Sequence, residues 1–303
     1  MTERPLDRVA PVGAFWTTLV RLPAARQWRW VASRPVATRI ALLVIALYVA
    51  MALVGDLLIP YSPTDFNMAV LLKPPSAQHW FGTDGYGRDV FSRVVSGTRP
   101  ILVLALTATV FGVGIGVAIG IASGYRGGVL DEVVMRFMDM LMALPGLLIG
   151  MLIVTTLGSS KPALIVGIAV TFVPKSARVA RGAMLTIRNL GFVEAARLRG
   201  AGAARVVFGE ILPNVREIVA VEFCLRFAYG LLLISSLGFL GLGLQPPSPD
   251  WGMMINEGRN FISRAPWVVL FPALAIGGLV VAVNLLSDGL WHDRRRTAAA
   301  RTL

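Results

Sequence analysis

Groups able to do chemistry are few and scattered in this 303-residue chain. Two histidines, His79 and His292, and a single cysteine, Cys224, are its only imidazole and thiol groups. A zinc or copper site needs several such ligands brought together. The topology derived below puts the two histidines on opposite sides of a membrane, so no metal site is expected. A phosphate loop is excluded outright. The pattern G-x-x-x-x-G-K-[ST] requires a Gly-Lys dipeptide, and the sequence contains none. No nucleophile–base set or paired histidine motif lies in the apolar segments, so the chain does not read as an enzyme. What remains is a handful of charges in unusual company. Glu222 and Arg226 stand four residues apart, in the order that favours a helical pair, within an apolar stretch. Asp139 lies near the end of another, one turn after Arg136. Ionisable groups in such segments are functional by default. For Glu222 and Arg226, a structural ion pair and a place on a transport path both stay open. For Asp139, pairing with Arg136 or with a partner subunit is preferred to substrate contact. Asp84, Arg88 and Asp89 form a compact charge set among Gly82, Gly85 and Gly87, which permit tight turns.

The elements that must position these groups are membrane helices. The chain is 55% hydrophobic and only 15% charged, with a mean hydropathy of +0.69; ordinary soluble domains carry about 25% charged residues. Disorder is excluded by the same figures, and a secreted disulfide scaffold by the single cysteine, Cys224. The net charge of +12 is carried almost wholly by arginine. It clusters at the ends of apolar segments, as on the cytoplasmic flanks of spans, and nucleic-acid binding is not expected.

Uncharged windows mark Ile40–Ile59 (apart from Asp56), Pro100–Tyr125, Met140–Ser160, Pro162–Pro174, Phe227–Pro249 and Ala265–Ser287. The fourth is short unless Lys161 and Lys175 or Arg178 snorkel to the interfaces. Charge distribution decides whether it spans. Six spans with the N-terminus inside put 21 of the 29 lysines and arginines in the cytoplasm, whereas five spans leave 11 there. The expectation is therefore an all-α polytopic membrane protein with six transmembrane helices and both termini cytoplasmic. Residues 1–36 form a cytoplasmic segment, read as an interfacial helix with Phe15, Trp16, Leu19 and Val20 on one face, or as a basic tail. No cleavable signal peptide is read there. The first span covers 37–60 and an extracytoplasmic segment 61–99. A core of five spans covers 100–290 and includes a cytoplasmic loop at 186–214. A basic cytoplasmic tail covers 291–303.

Two further stretches carry information. Thr186–Asn214 reads as two short helices broken by Gly200 and Gly202, the second running Ala203–Ile211 and ending at Pro213. Small Ala195 and Ala196 at its surface would let another protein's backbone approach. Leu237–Gly252 combines Gly238, Gly241 and Gly243 with Pro246, Pro247 and Pro249, a rigid outer excursion suited to gating, docking or loop stiffness. In the second span, Gly112, Gly114, Gly116 and Gly120 would allow close helix contact.

Together these stretches resemble the permeases of ATP-binding-cassette importers. Glu194-Ala195-Ala196, Gly200 and Leu212-Pro213 keep the spacing of their EAA loop (EAA, three residues, Gly, nine residues, I-x-L-P), except that Glu210 takes the isoleucine slot. FGTDGYGRDVFSRVVSG, GLGLQPPSPDWG and the stretch Gly124–Pro145 are similar to the C-type permease subunit of dipeptide, oligopeptide and nickel importers. The likeness covers residues 40–290. Past Asp288-Gly289-Leu290 the sequence departs into WHDRRR. The resemblance implies a type I importer permease of MetI-like fold in the bacterial inner (cytoplasmic) membrane. It implies a homologous permease partner in a heterodimer, two ATPase subunits docked on the EAA loop, and an extracytoplasmic solute-binding protein. No cofactor is implied in this chain, ATP and Mg²⁺ belonging to the ATPases. The implied function is alternating-access import of di- and oligopeptides, or alternatively of nickel or another small solute. From another class, an ion-gradient-driven secondary transporter would need more acidic residues at mid-membrane than Glu222 and Asp139.

Overall fold

The structure is a computed structural model and describes residues 35–299. The interfacial helix expected around Phe15–Val20 and the end of the basic tail lie outside the described residues. Nine helices are described: α1 (Val36–Leu58), α2 (Val90–Arg126), α3 (Gly128–Met142), α4 (Gly146–Leu157), α5 (Lys161–Ile187), α6 (Gly191–Leu198), α7 (Ala203–Phe239), α8 (Trp251–Gly258) and α9 (Trp267–Ala299). Five of them are long and apolar enough to cross a membrane, and a sixth span arises if α3 and α4 count as one.

Three expected spans differ from the helices found. The window Met140–Ser160 is not one helix. It breaks between Met142 and Gly146, and α3 and α4 meet at 83°. Pro145 cannot donate a backbone hydrogen bond, and it pushes Leu144 away from helical torsions. At 12 residues, α4 is about 18 Å long and cannot cross alone. The weak window Pro162–Pro174 is the N-terminal half of a 27-residue helix, α5. It starts cleanly because the Ser160 hydroxyl caps Ala163 N–H at 3.3 Å and Pro162 falls in the first turn, where no N–H is needed. It continues past Lys175 because α3 supplies counter-charges. Asp139 pairs with Arg178, and Asp131 takes the Arg181 guanidinium with three contacts of 2.6 to 2.9 Å. The second span begins at Val90, not at Pro100. Asp89 caps it, accepting from Ser92 N–H at 2.8 Å. At 37 residues, α2 runs about 55 Å, nearly twice the hydrocarbon core.

The centre of the bundle is the α2–α5 contact. Every fourth residue of α2 there is glycine. A Cβ on Gly112 would sit 2.7 Å from Phe172 Cβ, one on Gly116 2.6 Å from the Val173 carbonyl oxygen, and one on Gly120 would run into the Ala177 carbonyl. Gly124 continues the row against Met184. Gly114, expected in this contact, has open space around it. A four-residue period holds one helical face, and position 114 points elsewhere. Phe172 fills the middle of the core and is fully buried. Outside this pair, α1 is fastened to α9. Tyr48 Oη donates to the Ala275 carbonyl at 2.8 Å, and Thr38 packs directly on Gly289.

Replacing Gly120 by leucine is expected to force α2 from α5. Overpacking of this kind costs about 1–3 kcal/mol and should lower the thermal unfolding midpoint of the detergent-solubilised protein by several degrees. The same change at Gly114 should leave the midpoint within experimental error, and equal effects at the two positions would contradict the packing described.

Candidate functional site

Three groups of residues sit where work or solute could pass. The first is the hairpin at the lower end of the bundle, made by α6 and the start of α7. α6 stops at a glycine C-terminus. Gly200 has φ +79°, its N–H donates to the Arg197 carbonyl at 2.9 Å, and Ala201 N–H donates to Ala196 at 3.1 Å. This is the paired-bond Schellman stop that a left-handed glycine allows. Val193 and Ala196 turn inward with Met184, Val206, Ile211 and Val215. Ala196 is therefore buried, not at the surface as expected. Ala195 is half-buried and Glu194 exposed. The outward face carries Phe192, Leu198 and Phe208, with Leu198 83% and Phe208 69% exposed. Arg197 lies over the Tyr125 ring at 5.0 Å, tying α6 to the end of α2.

The second helix of the hairpin does not end at Pro213. α7 runs unbroken from Ala203 to Phe239 because the turn before the proline is widened. Val206–Ile211 is π-helical, and Leu212 N–H reaches back to the Val207 carbonyl. A wide turn accommodates the proline ring, which would clash with the preceding turn of a regular helix. Asn214 Nδ2 also donates to the Glu210 carbonyl at 2.6 Å. Leu212 and Pro213 are half-buried.

The second group lies at the opposite end of the bundle. Asp84, buried, accepts from Arg88 Nε at 2.7 Å and from Arg93 Nη1 at 2.5 Å, and its other oxygen takes the N–H groups of Tyr86 and Arg88. Glu257 of α8 closes the network on Arg88 at 2.6 Å and on Arg93 at 3.0 Å. Asp89 divides its oxygens between the cap of α2 and His79 Nδ1 at 2.9 Å. Gly87 stands against the Asn67 carbonyl and Gly82 against the Trp267 indole and the Lys73 carbonyl, leaving no room for a side chain.

The loop after α7 folds over this network. Asp250 caps α8 through Met253 N–H at 3.0 Å and also accepts from Leu244 N–H at 3.0 Å. Burial pushes its carboxyl above the ordinary carboxylate range, against the pull of those N–H groups. Gly238 and Gly243 make the space its carboxylate occupies. Trp251, fully buried, donates from Nε1 to the Val94 carbonyl at 2.9 Å.

Arg93, Asp250 and Glu257 were not singled out by sequence reasoning. Asp250 carried a visible signal, a capping residue three positions before Met253. Glu257 carried none, because its partner Arg88 is 169 residues away.

The third group is the set of charges along the spans. Glu222 is buried, accepting from Ser176 Oγ at 2.9 Å and Arg226 Nε at 2.7 Å. Lys175 lies over the Tyr229 ring at 5.0 Å. Seventeen residues, about 25 Å of helix, separate Glu222 from Phe239 at the far end of α7. Asp139 pairs with Arg178 and not with Arg136, which holds Glu132 at 3.1 Å. The hairpin, the outer network and these pairs are brought into one assembly by α7, but they do not converge on one site.

Known proteins share this architecture and sequence. The glutathione transport system permease protein GsiD of Pectobacterium atrosepticum is 39% identical over 272 residues, 89% of this chain and 90% of that one. The GsiD protein of Escherichia coli is 41% identical over 89% of each chain. The dipeptide transport system permease protein DppC of Alkalihalophilus pseudofirmus is 37% identical over 83% of each. Among solved structures, a chain of the MetNI methionine ABC transporter in inward-facing conformations superposes with a TM-score of 0.56 at 18% identity. The match covers 65% of this chain and 93% of that one, and shows a common fold. Residues 116–295 match the family described as binding-protein-dependent transport system inner membrane component. The chain belongs to that family of inner-membrane importer permeases.

Proposed function

We propose that this chain is the translocating subunit of an ATP-driven importer of di- and oligopeptides, glutathione-like peptides among them. The relatives named for glutathione and dipeptide transport support that cargo, since the likeness runs along nearly the whole of both chains. The chain performs no hydrolysis itself. With no Gly-Lys dipeptide for a phosphate loop, ATP and Mg²⁺ belong to two partner ATPase subunits. A second, homologous permease completes the membrane part as a heterodimer, and a solute-binding protein delivers cargo from outside. Both termini are cytoplasmic in this reading, as the arginine distribution favours.

The observation that carries the mechanism is the continuity of α7. Its lower end is half of the hairpin, and its upper end is the glycine platform under Asp250. In our reading Glu194, Ala195, Ala196, Gly200, Leu212 and Pro213 form the element that receives the ATPases, with Phe192, Leu198 and Phe208 as the apolar contact. A push there travels along some 55 Å of helix. At the far end, Asp250, α8 and Glu257 connect to Arg88 and Arg93, so Gly82, Asp84, Gly87, Arg88 and Asp89 serve as the rigid outer anchor. Close-packed helices move as units because they do not deform smoothly. Rocking of α7 with α5 and α2 then opens a shared central path alternately to either side. Glu222, paired with Arg226 on α7 itself, reaches Ser176 of α5, and Asp139 of α3 pairs with Arg178 of α5, so these groups join α7 to α5 and α5 to α3. That role is structural, and contact with solute is not required of them.

Changing Gly200 to glutamate places a side-chain-bearing residue at φ +79°, where L-residues are disfavoured by about 1–2 kcal/mol. Uptake by membrane vesicles should fall at least tenfold, or the ATPases should cease to co-purify; normal uptake with normal co-purification would contradict the coupling role. Replacing the phosphate-loop lysine of the ATPase should abolish uptake, while collapse of the proton gradient at constant ATP should not. The reverse pattern would favour an ion-driven carrier.

A further inference from the structure

α3 sorts its side chains by face and not by end. Val129, Val133, Phe137 and Met140 are each between 53% and 77% exposed. At about 100° per residue they fall within about 80° of arc. Exposed Glu132, Arg136 and Asp139 occupy about the next 60°. Asp131 and Met138, both buried, lie on the opposite side, against the bundle. An apolar, a charged and a buried sector therefore run side by side along one helix. A cavity of about 520 Å³ opens along the charged sector, with Asp131, Glu132, Arg136, Asp139 and Arg181 in its wall. α3 also runs across its neighbours. α4 lies antiparallel to α5, since Gly146 faces Thr171 and Gly150 faces Gly167, and α3 meets α4 at 83°. Its level is the hairpin end of the bundle. It follows directly on α2, whose Ile121 and Tyr125 belong to the hairpin's apolar cluster.

A helix along the membrane normal would keep its exposed charges near its ends, because a charge facing hydrocarbon is costly. A helix lying in the plane of the membrane edge, against a protein, meets three environments at once: protein, acyl chains and water. We propose that α3 is such an interfacial helix, seating Val129, Val133, Phe137 and Met140 in the lipid of the leaflet on the hairpin side. The composition of that face favours lipid over a packed protein surface. Helix contacts within the bundle rest on glycine: Gly116 and Gly120 of α2 against α5, Gly150 of α4 against Gly167, and Gly55 of α1 against Val95. The exposed apolar face of α3 offers neither a small residue nor a hydrogen-bonding side chain, the features that hold helices together in membranes. Branched and long apolar side chains suit fluid acyl tails instead. Asp131 holds Arg181 and Asp139 holds Arg178, so the lipid-held helix sets the depth at which α5 stands. The inference rests on the membrane architecture and holds whatever the cargo.

The test uses the complete importer, with Cys224 changed to serine and its partner subunits free of cysteine, in bilayers of phosphatidylethanolamine and phosphatidylglycerol. A nitroxide is attached to single cysteines replacing Val133, Phe137 or Met140, and in separate variants Glu132 or Arg136. Power saturation compares collision with oxygen, which concentrates in lipid, and with a water-soluble nickel chelate. Labels replacing Val133, Phe137 and Met140 should report one common depth, about 5–10 Å into the headgroup and acyl boundary. Those replacing Glu132 and Arg136 should meet the nickel chelate several times more often. Labels on the apolar face that neither reagent reaches would place a protein over it and overturn the proposal. A depth that changes by about 10 Å between Val133 and Met140, as along the membrane normal, would overturn it too, as would nickel access equal to that at Glu132. Co-purification of the ATPases checks each variant for assembly, and a position that fails is exchanged for Val129 on the same face.

Discussion

The feature on which the rest depends is a proline that fails to stop a helix. A proline within a helix removes one hydrogen bond and clashes with the preceding turn, at a cost of about 3 kcal/mol, and would ordinarily divide a cytoplasmic loop from the span above it. In α7 the preceding turn is widened to π geometry over Val206–Ile211, and Leu212 bonds back to Val207. The helix therefore starts in the hairpin and runs 37 residues to the loop after Phe239. Without that wide turn, the hairpin and the membrane core would be joined by a flexible corner. With it they share a single rod.

A rod transmits force only if its neighbours hold it. Two kinds of contact do this, close backbone packing and ion pairs. Along α2, the glycines at 112, 116, 120 and 124 bring its backbone against α5 closely enough that no side chain fits between them. Lower down, where α5 leaves the apolar region, Asp131 and Asp139 of α3 neutralise Arg181 and Arg178, and Ser176 reaches Glu222 on α7. At the outer end the buried Asp84–Arg88–Arg93–Glu257 network does the corresponding work. In the buried outer network, breaking one member leaves the others charged and unpaired, so the cost is large and the geometry well defined.

Much of this was legible in the sequence. Apolar length and arginine placement revealed a polytopic helical protein, and the EAA spacing with Gly200 located a glycine-stopped helix of the hairpin. What escaped the sequence has physical causes. Hydropathy windows stop at charges, so α5 reads too short when its arginines are matched by α3, a neighbour no window contains. An uncharged run does not reveal a bend, and only Pro145 hinted that α3 and α4 part company. Ala196 looks like a surface residue by size, yet small residues suit tight interiors equally well. Gly114 was grouped with its neighbours by composition, when a period of four separates it from them. Glu257 could not be found at all, since nothing local ties it to Arg88. Pro213 signalled an end that the π turn averts.

The account makes one structural demand above all, that α7 behave as a rigid rod through the working cycle. Spin labels on cysteines replacing Ala203 and Leu240, in a background with Cys224 changed to serine, would report its length by pulsed electron resonance. The expected result is one narrow distance near 55 Å, about 1.5 Å per residue, unchanged between the nucleotide-free and ATP-trapped importer. A distance that shortens by more than about 5 Å, roughly one helical turn, or splits into two populations on trapping would show bending at the proline and contradict the account.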